Sequence, residues 1–228
     1  MQSTSTKMII PDQYQAILYQ LSIWLLPGLL AITVHEAAHG MTALWLGDKT
    51  AFFLGRTSLN PVKHIDPVGT VIVPLTLLFM QSQFLFGWAK PVPINQRNLS
   101  KPIKDMAIIA LAGPASNFLM AICWLGIAKI ALIIAPHFEN TQISWLFQTA
   151  RIGVFFNIIL AVFNLIPIPP LDGSKILQAF LPRFLNRLYD NIEPYSMFII
   201  LGLVFSGTLV YIIGPPVLFL VQLAEMAL

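Results

Sequence analysis

The residues best suited to chemistry form the pattern His35-Glu36-Ala37-Ala38-His39, near the amino-terminal end of the chain. On a helix, residues four apart share a face, so the two imidazoles can bind one metal ion while Glu36 stands beside it. A zinc ion held in this way acidifies a bound water, and a neighbouring carboxylate can accept the proton of that water. The pattern therefore predicts zinc-dependent hydrolysis.

The run that carries this pattern, Ala16 to Trp45, is apolar enough to cross a bilayer. Two histidines and a glutamate are costly in lipid unless they act together. The plainer alternative is a helix whose histidines only satisfy hydrogen-bond partners in the core of a bundle. The membrane setting favours the metal site, and so indicates hydrolysis inside a membrane.

The composition of the whole chain is that of a membrane protein. Of its 228 residues, 57% are hydrophobic and only 10% are charged, whereas soluble domains carry about a quarter charged residues. The net charge of +3 gives no reason to expect a nucleic-acid partner. We expect an all-α polytopic membrane protein, with the lipid bilayer around it and apolar segments at 17–46, 68–86, 105–135, 145–168 and 195–213, and a shorter piece at 217–228 after Gly214-Pro215-Pro216.

The second of these segments, 68–86, either spans the membrane or enters and leaves on one side. If it re-enters, the loops 47–67, 87–104 and 169–194 share a side and hold ten of the thirteen basic residues; if it spans, the split is eight against five. The positive-inside rule favours re-entry and places the ten-residue side in the cytoplasm. The histidine helix then runs inward, parallel to 145–168.

A catalytic zinc ion usually has three protein ligands and an open position. The best candidate for the third ligand is Asp172, because the three prolines in the stretch 164–173 break a helix there and present this carboxylate level with the two histidines. The alternative is that Asp172 only forms part of an Asp-Gly turn. Cys123, in the middle of an apolar run, and His137, toward the opposite surface, are poorer candidates.

The motifs and their order resemble those of the site-2 protease family of intramembrane zinc metalloproteases. That family pairs a membrane-embedded HExxH, here His35–His39, with a later NxxPxPxLDG-type segment, here Asn164–Gly173. Gly113–Asn117 is similar to its GPxxN element, and Phe86–Pro93 to a turn segment of its compact bacterial members. The similarity runs from about 30 to 180.

This resemblance implies one zinc ion per chain, bound by His35, His39 and Asp172, with Glu36 as the general base. It also suggests that Asn164 lies near the substrate or the oxyanion, although a helix-packing amide is an equal alternative for Asn164. A transmembrane protein or peptide would be the substrate. The expected fold is a three-helix catalytic core with flanking transmembrane segments and a small re-entrant or β-hairpin-like loop region.

The resemblance further implies a minimal, bacterial form without PDZ or CBS domains. We expect one domain over residues 1–228, with a core at about 17–180 and the carboxyl-terminal segments at about 195–228. A bacterial inner membrane is the expected location, with the active site toward the cytoplasm. The sequence predicts neither the substrate nor the oligomeric state.

A helical substrate must be unwound before its peptide bonds can be reached, and an extended substrate could add as a strand to an exposed edge. Ala51–Leu54 and Arg56–Leu59, around Gly55, have the character of a hairpin, and Lys90–Ile94 is a further extended piece. These are candidates for a substrate platform. Alternatively, they form a loop that only plugs the cavity.

Two other functions remain open at this point. One is a membrane transporter of zinc or another cation, in which the polar residues form a transit site. It would not need a Glu directly after the first His. The other is a catalytically inactive relative that binds membrane proteins, against which the complete set His35, Glu36, His39 and Asp172 argues.

Overall fold

The computed structural model describes residues 12–80, 87–137 and 141–228. These residues are largely helical and include no β-strand, which confirms the predicted all-α class. In chain order, the α-helices within them are α1 (Asp12–Trp45), α2 (Thr50–Phe53), α3 (Val73–Phe79), α4 (Pro102–Ile134), α5 (Thr141–Asn164), α6 (Asp172–Gln178), α7 (Arg183–Ile192), α8 (Ser196–Phe205) and α9 (Thr208–Glu225).

Four of these helices, α1, α4, α5 and α9, are long and apolar enough to cross a membrane. Even α9, with 18 residues, extends about 27 Å at the rise of an α-helix, which is close to the thickness of the hydrocarbon core. Outward-facing side chains on these helices are large and apolar; Leu119 and Ile122, for example, are 63% and 65% exposed. The chain is therefore a multi-pass membrane protein.

Helices α1, α4 and α5 pack against one another and form the core of the fold. Ala128 on α4 and Ala150 on α5 have no exposed surface, and Trp124 lies in the same buried cluster. Small residues allow membrane helices to approach closely, so van der Waals contact can stabilise the bundle. Val217 attaches α9 to this cluster. The predicted three-helix core is present.

The second apolar run forms a short helical element. A π-helical turn over Pro67–Ile72 continues into α3, and the part of the predicted segment at 81–86 lies outside the described residues. Asp66 caps the turn, because its side chain accepts hydrogen bonds from the backbone N–H groups of Val68 and Gly69. Together the turn and α3 extend only about 20 Å, which is too short to span.

Both ends of this run lie together. The backbone N–H of Trp88 donates to Gly69 O at 3.1 Å, and that of Lys90 donates to His64 O at 2.9 Å. The Thr70 hydroxyl also donates to Trp88 O, at 2.8 Å. Because the chain returns to the point where the run begins, the arrangement agrees with re-entry and not with a crossing.

The expected β-hairpin at 51–59 is wrong. Residues Thr50–Phe53 form a single helical turn, α2. The cause is Asp48, whose carboxylate accepts hydrogen bonds from the backbone N–H and the hydroxyl of Thr50, so that the chain starts a helix there. Gly55, with φ of 65°, ends the turn.

Gly214-Pro215-Pro216 does not separate the piece at 217–228 from the residues before it. The helix of 217–228 begins earlier, and Pro215 and Pro216 lie inside α9. An interrupted backbone is costly in lipid, which favours a continuous helix even through proline. The break falls instead at Gly207, whose φ of 72° lies in the left-handed region that favours glycine. The segment expected at 195–213 is therefore divided between α8 and α9.

The end of α9 packs beside the beginning of α5 and the end of α4. Arg151 on α5 pairs with Glu225, and the ammonium of Lys129 on α4 donates to Ala227 O at 3.2 Å. These contacts lie at the end of the bundle opposite the loops that follow α1. Helix α9 therefore runs away from the end of the bundle at which α6 lies.

Candidate metal centre and active site

Helix α1 places His35 and His39 on one face, one turn apart, with their ring centroids 4.6 Å from each other. Both side chains are buried, with exposed fractions of 5% and 7%. The Nδ1–H of His35 donates to Asn117 Oδ1 at 2.6 Å, and the Nδ1–H of His39 donates to Ile109 O at 2.7 Å. With the protons on Nδ1, both Nε2 atoms carry lone pairs, and these two atoms lie 3.0 Å apart.

Asp172, the first residue of α6, completes the cluster. Its Oδ2 atom lies 3.2 Å from Nε2 of His35 and 3.3 Å from Nε2 of His39. This buried oxygen has no hydrogen-bond donor, so three acceptor atoms face one another without a proton between them. A metal cation bound between them would relieve that repulsion. Tetrahedral zinc with bonds of about 2.0–2.1 Å separates its ligand atoms by about 3.3 Å, so the spacing fits zinc.

Two glycines allow the helices to approach this cluster. A Cβ on Gly113 of α4 would lie 2.5 Å from the His39 ring and 2.6 Å from the His35 ring. A Cβ on Gly173 would overlap the backbone of Leu165 and Ile166. The Asp-Gly pair at 172–173 is thus more than a turn: its glycine lets α6 begin against the end of α5.

A chain of buried amides supports His35. Asn117, on α4, has no exposed surface, and its Nδ2 donates to Ala31 O at 3.1 Å and to Asn157 Oδ1 at 2.9 Å. Asn157 in turn donates to Gly153 O at 2.8 Å. The sequence marks Asn117 through the Gly113–Asn117 element and favours a packing amide between helices there, but it predicted neither the contact of Asn117 with His35 nor the role of Asn157, which is marked only as a polar residue in an apolar run.

Glu36 is held by the loop that follows the re-entrant run. Its Oε2 atom accepts a hydrogen bond from the backbone N–H of Val92 at 3.1 Å. Arg56, which is only 6% exposed, donates to Lys90 O at 2.8 Å and to Pro91 O at 3.2 Å. The stretch 90–92 therefore crosses next to the carboxylate that the sequence assigns as the base.

Asn164 does not contact the metal cluster in the hydrogen bonds that are described. Its Nδ2 donates to Leu160 O at 2.9 Å, within α5, and its side chain is half-buried. The structure thus brings together His35, His39 and Asp172, with Glu36 beside them on α1. It leaves the proposed oxyanion role of Asn164 a prediction.

Asp48 joins the loops on the side of the bundle where α1 ends. Its carboxylate accepts from the backbone N–H of Asn95 and from the side chain of Asn98, both at 2.7 Å, as well as from Thr50. Burial opposes ionisation, but the hydrogen bonds from Thr50, Asn98 and Asn95 outweigh it and hold the pKa of Asp48 below its ordinary value. Asp48 is therefore charged at neutral pH and fixes the loop 90–98 next to the end of α1.

Comparison with known proteins gives a family. The model of peptidase family M50 matches residues 23–207. YwhC of Bacillus subtilis (strain 168), named as a zinc metalloprotease, is 33% identical over 189 residues, which cover 82% of each chain. Rip2 of Mycolicibacterium smegmatis, named likewise, is 25% identical over 181 residues, or 79% of this chain and 66% of its own. No solved structure gives a significant match.

The name of a third relative points the same way. MJ0611 of Methanocaldococcus jannaschii, also named as a zinc metalloprotease, is 39% identical over 70 residues, about a third of each chain. The extent of the family match and the buried cluster of two imidazoles and a carboxylate agree on zinc as the cofactor. The chain belongs to peptidase family M50, the site-2 proteases, and is a zinc metalloendopeptidase of the membrane.

Proposed function

We propose that this protease hydrolyses peptide bonds within or beside the transmembrane segments of membrane proteins. The observation that carries the proposal is the depth and composition of the cluster: His35 and His39 are buried on a helix of membrane length, and Asp172 meets them from α6. A soluble substrate could reach this buried cluster only from the membrane surface. We assign these three side chains as the zinc ligands.

Glu36 is the proposed general base. Zinc, when bound, polarises the scissile carbonyl and lowers the pKa of the attacking water. Glu36 accepts the proton of that water and later donates it to the leaving amine. The hydrogen bond from the Val92 N–H fixes one carboxylate oxygen, Oε2, and leaves the other free to face the reaction.

Asn164 is a second candidate for contact with the reacting group. A hydrogen-bond donor to the developing oxyanion, in a site that excludes water, lowers the activation barrier by a few kcal/mol. The Nδ2 of Asn164 donates to Leu160 O in this conformation, so a rotation of the side chain must precede such a contact. A helix-packing role for the amide is the competing assignment.

The extended piece Lys90–Ile94 is the proposed place where an extended substrate docks. The chain there has no regular secondary structure, and Arg56 binds the carbonyls of Lys90 and Pro91. A substrate that pairs with this backbone would be drawn out of its helix beside Glu36.

We further propose a bacterial inner membrane as the location, with the metal cluster toward the cytoplasm. Support comes from the positive-inside rule: the loops that follow α1, the re-entrant run and α5 hold ten of the thirteen Lys and Arg residues. Both ends of the re-entrant run meet on that same side.

The test is co-expression with a tagged single-pass membrane protein, comparing the wild type with Glu36→Gln. We expect the variant to keep its zinc and to lose cleavage, because the amide cannot accept a proton while the ligands are intact. Zinc content serves as the control for folding. Cleavage by Glu36→Gln at the wild-type rate would refute the assignment, and cleavage confined to soluble peptides would refute the proposed substrate class.

A further inference from the structure

Helix α7 separates its polar and apolar residues more completely than the longer helices do. Phe184, Leu188 and Ile192 recur at intervals of four and lie along one side. Asn186 and Asp190 lie on the opposite side. Such a pattern is typical of a helix at a boundary between a polar and an apolar phase.

Two polar residues attach α7 to the rest of the protein. The Asn186 amide donates to Gln178 O at 3.0 Å, and the Tyr189 hydroxyl donates to Pro167 O at 3.1 Å. Asn186 and Asp190 line a cleft of about 200 Å³ between α7, α6 and the start of α4. Asn186 is half-buried there, whereas Asp190 is exposed, so the polar side of α7 borders both the protein and water.

The apolar side faces outward. Phe184, Leu188 and Ile192 are 65%, 52% and 42% exposed, and Phe180, four residues before the first of them, is 81% exposed. In water a helix buries this side and exposes its polar side. The exposure of this side here indicates that the medium next to the apolar side of α7 is apolar.

One arginine borders this apolar stripe. Arg187 lies about 60° around the helix from Phe184 and about 100° from Leu188, is exposed, and has no ionic partner among the residues that the structure describes. Long basic side chains in this position keep their stems in an apolar layer and extend their charge to its polar edge. The charge there is complementary to an anionic phosphate.

The position of α7 in the chain agrees with a membrane boundary. It follows the spanning helix α5 and the short helix α6 that carries Asp172, and it precedes the carboxyl-terminal helices α8 and α9. A segment between two membrane crossings emerges at the surface of the bilayer. Lipid already surrounds the membrane-spanning helices, so we take lipid, and not a second protein, as the group that covers the apolar stripe.

We propose that α7 lies in the plane of the membrane interface, with Phe184, Leu188 and Ile192 among the acyl chains and Arg187 on anionic lipid headgroups. This surface is independent of the proteolytic activity. It attaches α7, the helix that follows the Asp172-bearing helix α6, to the leaflet on that side of the membrane.

The experiment uses the full chain reconstituted in vesicles, in a Cys123→Ser background that removes the single native cysteine. An environment-sensitive fluorophore is attached at Leu188→Cys on the apolar side and, as the matched control, at Asp190→Cys on the polar side of the same helix. Phe184→Cys provides a second apolar position. Each sample is quenched with brominated lipid or with aqueous iodide.

We expect brominated lipid to quench the labels at 184 and 188, and iodide to quench the label at 190. Brominated phosphatidylglycerol should quench at 188 more than brominated phosphatidylcholine, and Arg187→Gln should reduce this preference by up to about fivefold. Quenching at 184 and 188 by iodide would place the stripe in water and overturn the proposal.

Three further outcomes would overturn it in whole or in part. Protection from both quenchers that varies with the ratio of protein to lipid would assign the stripe to a second copy of the chain, and protection that does not vary would place it inside the protein. Equal quenching by the two lipids, unchanged in Arg187→Gln, would remove the anionic headgroup from the assignment.

Discussion

Replacing Asn117 with Leu tests whether the buried amide chain positions a zinc ligand. The substitution keeps a side chain of similar size at a position with no exposed surface. It removes the acceptor that receives the Nδ1–H of His35 at 2.6 Å and the donor to Ala31 O and Asn157. The His35 ring is then free to rotate or to change tautomer, and its Nε2 no longer points to the cluster.

The expected losses of zinc affinity and of stability follow from the number and kind of hydrogen bonds that Asn117 makes. The bond to His35 orients a ligand that metal binding polarises, and a bond to such a group contributes about 1.5–3 kcal/mol. Zinc affinity should therefore fall by roughly 10- to 100-fold. The other two bonds, between membrane helices, contribute about 0.6 kcal/mol each to stability.

The assay is zinc competition with a chelator on the purified protein in lipid nanodiscs, together with thermal unfolding of the zinc-free form. Asn157→Leu is the matched control. It removes the other buried amide of the Asn117–Asn157 pair, and Asn157 is not the hydrogen-bond partner of His35. We expect both variants to lose similar stability, and only Asn117→Leu to lose zinc affinity by the factor above. Equal zinc affinities in the two variants would refute the positioning role.

The remaining predictions concern the approach of α4, the loop next to Glu36 and the junction at Asp48. Gly113→Ala should lower zinc content well below one per chain, since its Cβ would lie 2.5 Å from the His39 ring; full zinc content would contradict this. Arg56→Gln should speed amide hydrogen exchange at 90–92 by losing the bonds to Lys90 O and Pro91 O, and unchanged exchange would contradict it. Because the folded-state pKa of Asp48 is lowered, its contribution to stability is present above about pH 4 and is lost as the pH falls through that pKa. Thermal unfolding should therefore show the wild type more stable than Asp48→Asn at pH 7, with a gap that closes below about pH 4; a gap that is independent of pH would contradict the assignment.

The three residues of the metal cluster could be brought together from the sequence because local rules place them. The spacing of His35 and His39 is one helical turn, and the proline-rich stretch before Asp172 ends α5 and begins α6 where a carboxylate can meet them. The positions that the sequence could not give depend on packing between helices. Asn117 reaches His35 across 82 residues, and Ile109 O reaches His39 across 70; no local pattern encodes these pairs.

The errors of the sequence analysis have local causes as well. Residues 51–54 have the composition of a strand, but the hydrogen bonds of Asp48 start a helical turn. The double proline at 215–216 reads as an interruption, yet α9 continues through it, and the interruption lies earlier, at Gly207 between α8 and α9. In both places one side chain or one backbone angle outweighs the average propensity of its neighbours.

Zinc K-edge X-ray absorption of the purified wild type most directly tests the claim that His35, His39 and Asp172 hold the metal. We expect a first shell of nitrogen and oxygen only, at about 2.0–2.1 Å, with multiple scattering from two imidazoles. The spectrum of Asp172→Ala should lose one oxygen scatterer and keep both imidazoles. A sulfur scatterer at about 2.3 Å, a third imidazole, or a wild-type shell unchanged in Asp172→Ala would contradict the account.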